Sequence, residues 1–201
     1  MGFVSQYLQE VREVAARLDP AEVERLVELL VSVAGQGRLF ILGIGGSAAN
    51  ASHAVNDFRT LAGFEAYTPT DNVAELTARI NDDEWESVYA AWLRASHLTD
   101  HDGVLILSVG GGDEVRGVSV PLIHAIRYAK EIGASVGAIV GRDGGYAAFG
   151  ADVCVIVPTV NPAHVTVHTE AFQAVLWHLL VSHPRLRTTS PKWESVDETL
   201  R

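Results

Sequence analysis

The sequence predicts an α/β fold, a three-layer α/β/α sandwich with a mainly parallel sheet that N-terminal helices precede. Two observations support this prediction. Short, unbroken apolar runs are typical of strands buried on both faces. They alternate with longer amphipathic or glycine-rich stretches, which is the pattern of parallel strands joined by helices. The runs are RLFILGI (38–44), GVLILSV (103–109), ASVGAIVG (134–141) and DVCVIVPTV (152–160).

The residues before the first strand predict two helices. Leu18-Asp19-Pro20 interrupts the helical pattern, with Asp19 as the N-cap and Pro20 in the first position of the second helix. Another helix is predicted from about Ser47, and the last one covers HTEAFQAVLWHLLVSH (168–183). Apolar side chains of the second helix recur at helical spacing and need another surface to cover them: Val23, Leu26, Val27, Leu30 and Val31.

The chain of 201 residues is long enough for one domain with a substantial core. We expect N-terminal helices (1–35) that pack on this domain or on a neighbouring subunit. The main domain is expected to cover residues 36–184. A polar C-terminal tail (185–201) follows, and we expect it to be loosely held.

Composition and charge exclude several classes of partner. The formal net charge of −10 argues against a nucleic-acid groove or an anionic membrane surface, because both need clustered Lys and Arg. No apolar stretch reaches the roughly 20 residues of a membrane span. The acidic, amphipathic N-terminus fits neither a signal nor a transit peptide, so a cytoplasmic location is expected. The one cysteine, Cys154, lies in an apolar run and is expected to be a buried thiol.

The stretch LGIGGSAANASHAVND (42–57) is the first candidate site. A glycine-rich turn that opens a helix can direct backbone N–H groups and the positive end of the helix at an anion, although it can equally be a tight turn. His53 and Asp57 follow at positions i and i+4, which suits an acid–base pair or two metal ligands. The alternative is a solvated polar pair. The residues of the turn are Gly43, Gly45, Gly46 and Ser47.

Other polar groups extend this site. SVGGGDEVRGVS (108–119) is a second glycine loop between a strand and a helix, in which Ser108 and the N-cap Ser119 can wrap a phosphate. Asn81 and Asp82 either cap a helix or bind sugar hydroxyls.

The last predicted helix carries His168, Glu170 and His178. Glu170 and His178 lie eight residues apart, a rise of about 12 Å, so spacing alone supports a shared ligand only weakly. His124, His164 and His183 are expected to be structural or exposed.

These motifs together resemble the SIS (sugar isomerase) domain and, within it, the phosphoheptose isomerase family. The resemblance extends from the N-terminal helices to about residue 183. It implies a flavodoxin-like SIS fold and the interconversion of sedoheptulose 7-phosphate and D-glycero-D-manno-heptose 7-phosphate. It also implies a homotetramer with active sites between subunits, and zinc in some members. Its most specific segments are GIGGSAANASHAVND, LTARINDD, VGRDGGYAAFGADVCVIVP and TEAFQAVLWHLL.

The resemblance assigns roles to individual positions. His53 matches a metal-binding or catalytic histidine, and His178 matches the histidine of the final helix that serves in metal binding or proton transfer. Asp57 stands where the family usually has Glu, and Glu170 where it usually has Gln. The positions that match substrate-binding residues are Gly45, Gly46, Ser47, Asn81, Asp82, Ser108, Ser119 and Glu170. Two imidazoles and two carboxylates suit a divalent metal, Zn²⁺ first: His53, Asp57, Glu170 and His178.

The expected function is therefore that of an aldose–ketose isomerase acting on a phosphorylated heptose through an enediol. Asp57 and His178 are the expected acid–base catalysts. The phosphate loop is longer than the family's compact serine-rich loop, so other phosphosugars remain alternatives. A non-catalytic phosphosugar sensor or scaffold protein is the alternative from another class, but such a protein has no need of both His53 and His178.

Overall fold

The computed structural model describes residues 2–198 and confirms the predicted parallel sheet. Its five strands are ordered β2-β1-β3-β4-β5, and every neighbouring pair is parallel. The four predicted strands are present. The two-residue edge strand β2 is not foreseen, because it is too short for a periodic pattern. The strands are β1 (Leu39–Gly43), β2 (Ala66–Tyr67), β3 (Gly103–Ser108), β4 (Ser135–Val140) and β5 (Val153–Ile156).

Helices cover both faces of the sheet and precede it. The break at Asp19-Pro20 is confirmed, and the Asp19 carboxylate accepts a hydrogen bond from the Ala21 N–H group. The last predicted helix, α8, begins three residues earlier than predicted, and a further short helix, α9, follows it. The helices are α1 (Phe3–Arg17), α2 (Pro20–Val33), α3 (Gly46–Ala62), α4 (Val73–Asp82), α5 (Val88–Ala95), α6 (Val120–Ile132), α7 (Ala147–Gly150), α8 (Val165–Ser182) and α9 (Lys192–Glu198). Short 3₁₀ turns cover Pro69–Asp71, Trp85–Ser87 and Pro162–His164.

The two layers of helices build two apolar cores on opposite faces of the sheet. In β1, Leu39 and Ile41 face the layer of α2, α3 and α8, whereas Phe40 and Leu42 face the layer of α5 and α6. All four side chains are at most 1% exposed, as the unbroken apolar run predicts. The strand order reverses direction between β1 and β3, so a ligand is expected beyond their carboxyl ends.

The C-terminal tail is attached to α3, so the expectation of a loosely held tail is wrong for residues up to Thr189. The backbone N–H groups of Thr188 and Thr189 both donate to the carbonyl of Leu61, at 2.7 and 3.1 Å. The Thr189 hydroxyl donates to the carbonyl of Thr60 (2.6 Å). Leu186 is 4% exposed. These contacts satisfy carbonyls that the end of α3 leaves unpaired, which a sequence pattern cannot show.

A buried ion pair stabilises the edge of the sheet opposite the candidate site. Asp102, just before β3, accepts hydrogen bonds from the backbone and guanidinium N–H groups of Arg38 and from the N–H and hydroxyl of Thr99. Burial raises the pKa of Asp102, but these hydrogen bonds outweigh burial and hold the pKa below its usual value. The side chain of Asp102 is only 2% exposed, against 27% for Arg38.

We predict that Asp102→Ala lowers the free energy of unfolding by about 3–5 kcal/mol at pH 7, because it leaves the donor groups of Arg38 and Thr99 without their acceptor. Because the folded-state pKa is depressed, this contribution is present at neutral pH and is lost as the pH falls through the folded-state pKa. Urea denaturation at pH 7 and at about pH 3 measures both effects. Asp100→Ala, at a side chain 68% exposed, is the matched control. Equal urea midpoints for the two variants at pH 7 contradict the prediction.

Candidate active site

The glycine turn after β1 delivers the positive end of α3 to the carboxyl edge of the sheet. A Cβ atom at Gly43 would lie 2.4 Å from the carbonyl oxygen of Ser47, so only glycine allows the chain to turn this tightly. The carbonyl of Gly45 accepts hydrogen bonds from the N–H groups of Ala48 and Ala49. The predicted Gly-rich opening of a helix is therefore present, with Gly45 and Gly46 exposed to solvent.

Three of the four predicted metal-ligating residues converge between α3 and α8. Asp57 Oδ2 lies 3.8 Å from His53 Nε2 and 3.6 Å from His178 Nε2. The three ligand atoms all lie within 4.8 Å of one another. Two histidines and one carboxylate from helices more than 100 residues apart in sequence thus share one site, which fits both acid–base chemistry and a divalent cation.

The hydrogen bonds of this cluster decide which atoms are available. His178 Nδ1 lies 2.8 Å from the carbonyl oxygen of Ala174, so it carries the ring proton and donates it. His178 Nε2 then has a free lone pair that faces Asp57. Asp57 Oδ1 accepts from the Asn56 amide (2.9 Å), which leaves Oδ2 for the cluster. A histidine that acts as a metal ligand or as a base needs one ring nitrogen held by a hydrogen bond, here Nδ1, and the other free, here Nε2.

Glu170 is not brought into this cluster. Its carboxylate lies against Gly46, where a Cβ atom would be 2.5 Å from the carboxylate carbon. Gly46 and His53 are seven residues apart on α3, a rise of about 10 Å. In this position the carboxylate of Glu170 complements the positive end of α3. Its predicted role as a metal ligand stays a prediction that the geometry of the chain does not support.

The second glycine loop is a closed hairpin rather than an open cradle. Ser108 ends β3, is 4% exposed, and accepts a hydrogen bond from the Gly111 N–H group through Oγ (3.1 Å). Asp113 and Val118 then exchange two backbone hydrogen bonds, of 2.8 and 2.9 Å. This pairing folds the extra residues of the loop outward. The loop therefore returns to its base instead of enlarging the site.

Ser119 lies at the end of this hairpin and is the N-cap residue of α6, as predicted. Its φ angle is +55°, and its side chain makes no capping hydrogen bond. The carbonyl oxygen of Ser119 is 3.6 Å from the position that a Cβ atom would take at Gly112. The hairpin thus brings Ser119 back beside the glycines that follow Ser108, where both serines can flank one anion.

Asn81 and Asp82 lie apart from these groups within one chain. They are exposed at the end of α4, where the Asn81 amide donates to Asp82 Oδ1 (2.8 Å). None of the residues of α4 is buried. Their predicted role in substrate binding stays a prediction.

A cavity of about 550 Å³ opens beside the cluster. Asp57 and His178 line one side, and the C-terminal tail supplies the other through residues that include Ser190, Lys192 and Trp193. The tail therefore forms a wall of the candidate site, a role that its polar sequence does not indicate.

Comparison with known proteins identifies the family. A family model described as SIS domain matches residues 6–141. The phosphoheptose isomerase of Chlorobium phaeobacteroides is 30% identical over 174 residues, which are 80% of this chain and 74% of that protein. The enzyme of the same name from a Roseiflexus species is 31% identical over 158 residues, covering 76% and 75%. The chain belongs to the SIS-domain phosphoheptose isomerase family.

A solved structure agrees with this assignment. Phosphoheptose isomerase GmhA from Neisseria gonorrhoeae superposes on the chain with a TM-score of 0.75 at 25% identity, covering 89% of this chain and 92% of that one. The predicted SIS fold is confirmed, and so is the prediction of a sugar-phosphate isomerase at the level of the enzyme class. Within residues 2–198, none of the helices combines the length and the apolar character that a membrane crossing requires.

In this family member a buried amide that the sequence analysis missed joins the two helices of the site. Gln173 is fully buried, and its Nε2 donates to Ser47 Oγ (3.0 Å). Asn50 Nδ2 donates to Gln173 Oε1 (3.0 Å) and to the backbone carbonyl of Glu170 (2.9 Å). Ser47, 1% exposed, therefore directs its side chain into the protein and can offer a ligand only its backbone N–H. A polar residue among the apolar positions of α8 was the available signal.

We predict that Gln173→Leu lowers the free energy of unfolding by about 1–3 kcal/mol, because it leaves Ser47 and Asn50 without their buried partner. Urea denaturation measures the loss. Gln36→Leu makes the same chemical change at an exposed turn and is expected to stay within about 0.5 kcal/mol of the unmodified chain. If the two variants unfold at the same urea concentration, the amide does not join the helices as described.

Proposed function

We propose that the chain interconverts sedoheptulose 7-phosphate and D-glycero-D-manno-heptose 7-phosphate as an aldose–ketose isomerase. The convergence of His53, Asp57 and His178 carries this proposal. It provides a carboxylate oxygen and an imidazole nitrogen on one side of a cavity. Isomerisation needs a group that moves a proton between adjacent carbons, and both atoms can do so.

The phosphate of the substrate is best held at the start of α6. The Glu170 carboxylate already lies at the positive end of α3, so an anion there would meet a negative charge. The glycines after Ser108 and the N-cap Ser119 present backbone N–H groups and a hydroxyl, and the carboxylates of this loop, Asp113 and Glu114, are paired with Arg116 and Arg127.

The proton transfer balances within the substrate. Starting from the ketose, a base removes one proton from C1, and the electron pair forms the double bond of the enediol as the C2 oxygen gains a proton. Return of a proton to C2 and loss of the proton on the C1 oxygen leave an aldehyde at C1. Asp57 Oδ2 and His178 Nε2 are the groups we assign to these carbon-bound protons, because both residues line the cavity and the hydrogen bond from His178 Nδ1 to the Ala174 carbonyl leaves Nε2 free to accept a proton.

The donor set of the cluster fits a divalent metal ion. His53, Asp57 and His178 would hold Zn²⁺, and three protein ligands leave a coordination position for substrate. At Asp57 and His178 this role is the alternative to proton transfer, because a lone pair that binds zinc cannot accept a proton. A bound zinc ion supplies Lewis-acid polarisation of the carbonyl and of the developing negative charge on oxygen. Glu170 is not required for this set. Its carboxylate instead limits where an anion can approach α3.

We also propose that the chain forms a homo-oligomer, a tetramer as the family resemblance implies, with active sites between copies. Helix α4 has no buried residue and exposes Val73 (69%) and Ile80 (41%). Helix α1 exposes Phe3 (66%) and Val4 (70%). Apolar surface of this kind is typical of protein interfaces. An interface at α4 would carry Asn81 and Asp82 to the site of a neighbouring copy.

We predict that the purified chain converts sedoheptulose 7-phosphate to the aldose, followed by NMR in D₂O, and that the product gains deuterium at C2. Asp57→Asn and His178→Ala are expected to lower kcat by about 10²–10⁴-fold, because each removes a group that transfers the proton. Asp100→Asn and His101→Ala make the same changes at exposed positions and should leave the rate unchanged. Binding without conversion would favour the sensor alternative, and absence of binding would refute the heptose substrate.

A second prediction separates the metal ligands. After treatment with a chelator, activity is expected to fall and to return as Zn²⁺ is titrated. His53→Ala should raise the Zn²⁺ concentration that restores half of the activity by more than about 100-fold. Loss of a residue that only hydrogen-bonds to a metal ligand changes metal affinity by roughly 10–100-fold. Glu170→Gln should leave that concentration within about threefold, because the carboxylate lies outside the cluster. If Glu170→Gln needs as high a Zn²⁺ concentration for half-recovery as His53→Ala, then Glu170 is a metal ligand.

A further inference from the structure

A second group of metal-type side chains lies outside the candidate active site. Glu10 of α1 meets His164, in the 3₁₀ turn before α8, and His168 of α8. Glu10 Oε2 is 2.7 Å from His164 Nδ1 and 2.8 Å from His168 Nε2. Glu10 is 7% exposed and His168 only 3%. Buried charges of this kind are paired or coordinate metals.

The carboxylate of Glu10 is held in place by amides. Its Oε1 accepts hydrogen bonds from Asn161 Nδ2 (2.7 Å) and Gln6 Nε2 (3.0 Å), which turns Oε2 toward the two imidazoles. The hydrogen bonds from His168, His164 and Asn161 hold the pKa of Glu10 far below its usual value.

Asn161 supports both Glu10 and His164. Its Oδ1 accepts from the Ala163 N–H group (3.0 Å), so the amide NH₂ faces the cluster. Its nitrogen lies 3.1 Å from His164 Nδ1. Without an ion, a proton on His164 Nδ1 forms the hydrogen bond to Glu10 Oε2 (2.7 Å), and a metal ion bound between these two atoms would take the place of that proton.

The surroundings suit a bound ion. The ring centroids of Tyr7 and His168 lie 4.7 Å apart, and those of Phe3 and His164 lie 5.8 Å apart at right angles, so aromatic groups cover two sides. The side chain of His164 is 22% exposed, which gives access from solvent. The site is distinct from the candidate active site, because His168 and His178 are ten residues apart on α8, a rise of about 15 Å.

We propose that Glu10, His164 and His168 bind a first-row divalent cation, with Zn²⁺ the best match to two imidazoles and a carboxylate. Metal bonds of about 2.0–2.1 Å at tetrahedral angles set ligand atoms roughly 3.3 Å apart, so the side chains need to separate by about half an ångström. The ion would fasten α1 to the first turn of α8. In α1 only Glu10 and Val14 are buried, so a metal link through Glu10 would provide much of the contact that holds α1 to the rest of the protein.

Zinc content of the full-length chain, with any affinity tag removed, tests the proposal. The background variant combines His53→Ala with His178→Ala, so that zinc at the candidate active site cannot mask the second site. After chelation and dialysis against Zn²⁺, plasma mass spectrometry should find about one zinc ion per chain. Adding His164→Ala or Glu10→Gln should abolish this zinc. Adding His101→Ala, an exposed histidine outside both clusters, should not.

Histidine NMR provides a second measurement. His168 Nδ1 is buried and has no hydrogen-bond partner within the described residues, and zinc binding at Nε2 moves the ring proton to it. Two-bond ¹H–¹⁵N spectra of the background variant should therefore change tautomer on zinc addition. The proposal is overturned if the folded background variant binds no zinc, or if His164→Ala and Glu10→Gln both retain it. If the unmodified chain binds zinc but the background variant does not, this second site is refuted and the proposed function still stands.

Discussion

The buried amide of Gln173 joins α3 to α8, and the arrangement of the reactive side chains depends on that connection. His53 and Asp57 project from α3, whereas His178 projects from α8 five residues after Gln173. Apolar packing between the helices sets their distance but opposes sliding only weakly, because it is not directional. An amide that donates to Ser47 and accepts from Asn50 fixes the position of one helix along the other. The separation of 3.6 Å between Asp57 and His178 follows from that fixed position.

Scarcity of positive charge constrains how the chain can bind a phosphorylated ligand. With a net charge of −10, helix ends and backbone N–H groups must supply the positive potential. Close contact between the loops makes this arrangement rigid. A Cβ atom at Gly111 would lie 1.8 Å from the carbonyl oxygen of Gly144, so the loops after β3 and β4 fit only as glycines. The backbone of the second glycine loop is thus held in place by the neighbouring loop.

The two groups of histidines and carboxylates differ in how they are held. At the candidate active site the ligand atoms are 3.6 to 3.8 Å apart, because helix packing separates them. Around Glu10 the corresponding distances are 2.7 and 2.8 Å, and amides of Gln6 and Asn161 complete the group. The first group faces a cavity, and the second joins α1 to the body of the protein. Similar residue types therefore line a cavity in one place and attach a helix in the other.

The sequence by itself determined the parallel sheet, the helix break at Pro20 and the paired positions His53 and Asp57, because each is a local pattern of polarity or helical spacing. It also indicated His178 through its match to a family motif. Only the tertiary structure decided that His178 joins this pair while the Glu170 carboxylate lies against Gly46 at the start of α3, because the two side chains on α8 lie about 12 Å apart along the helix and meet different parts of α3. The contacts of Glu10, Gln173 and the tail link segments distant in sequence. Such contacts depend on how the helices pack against one another, and no local pattern records that packing.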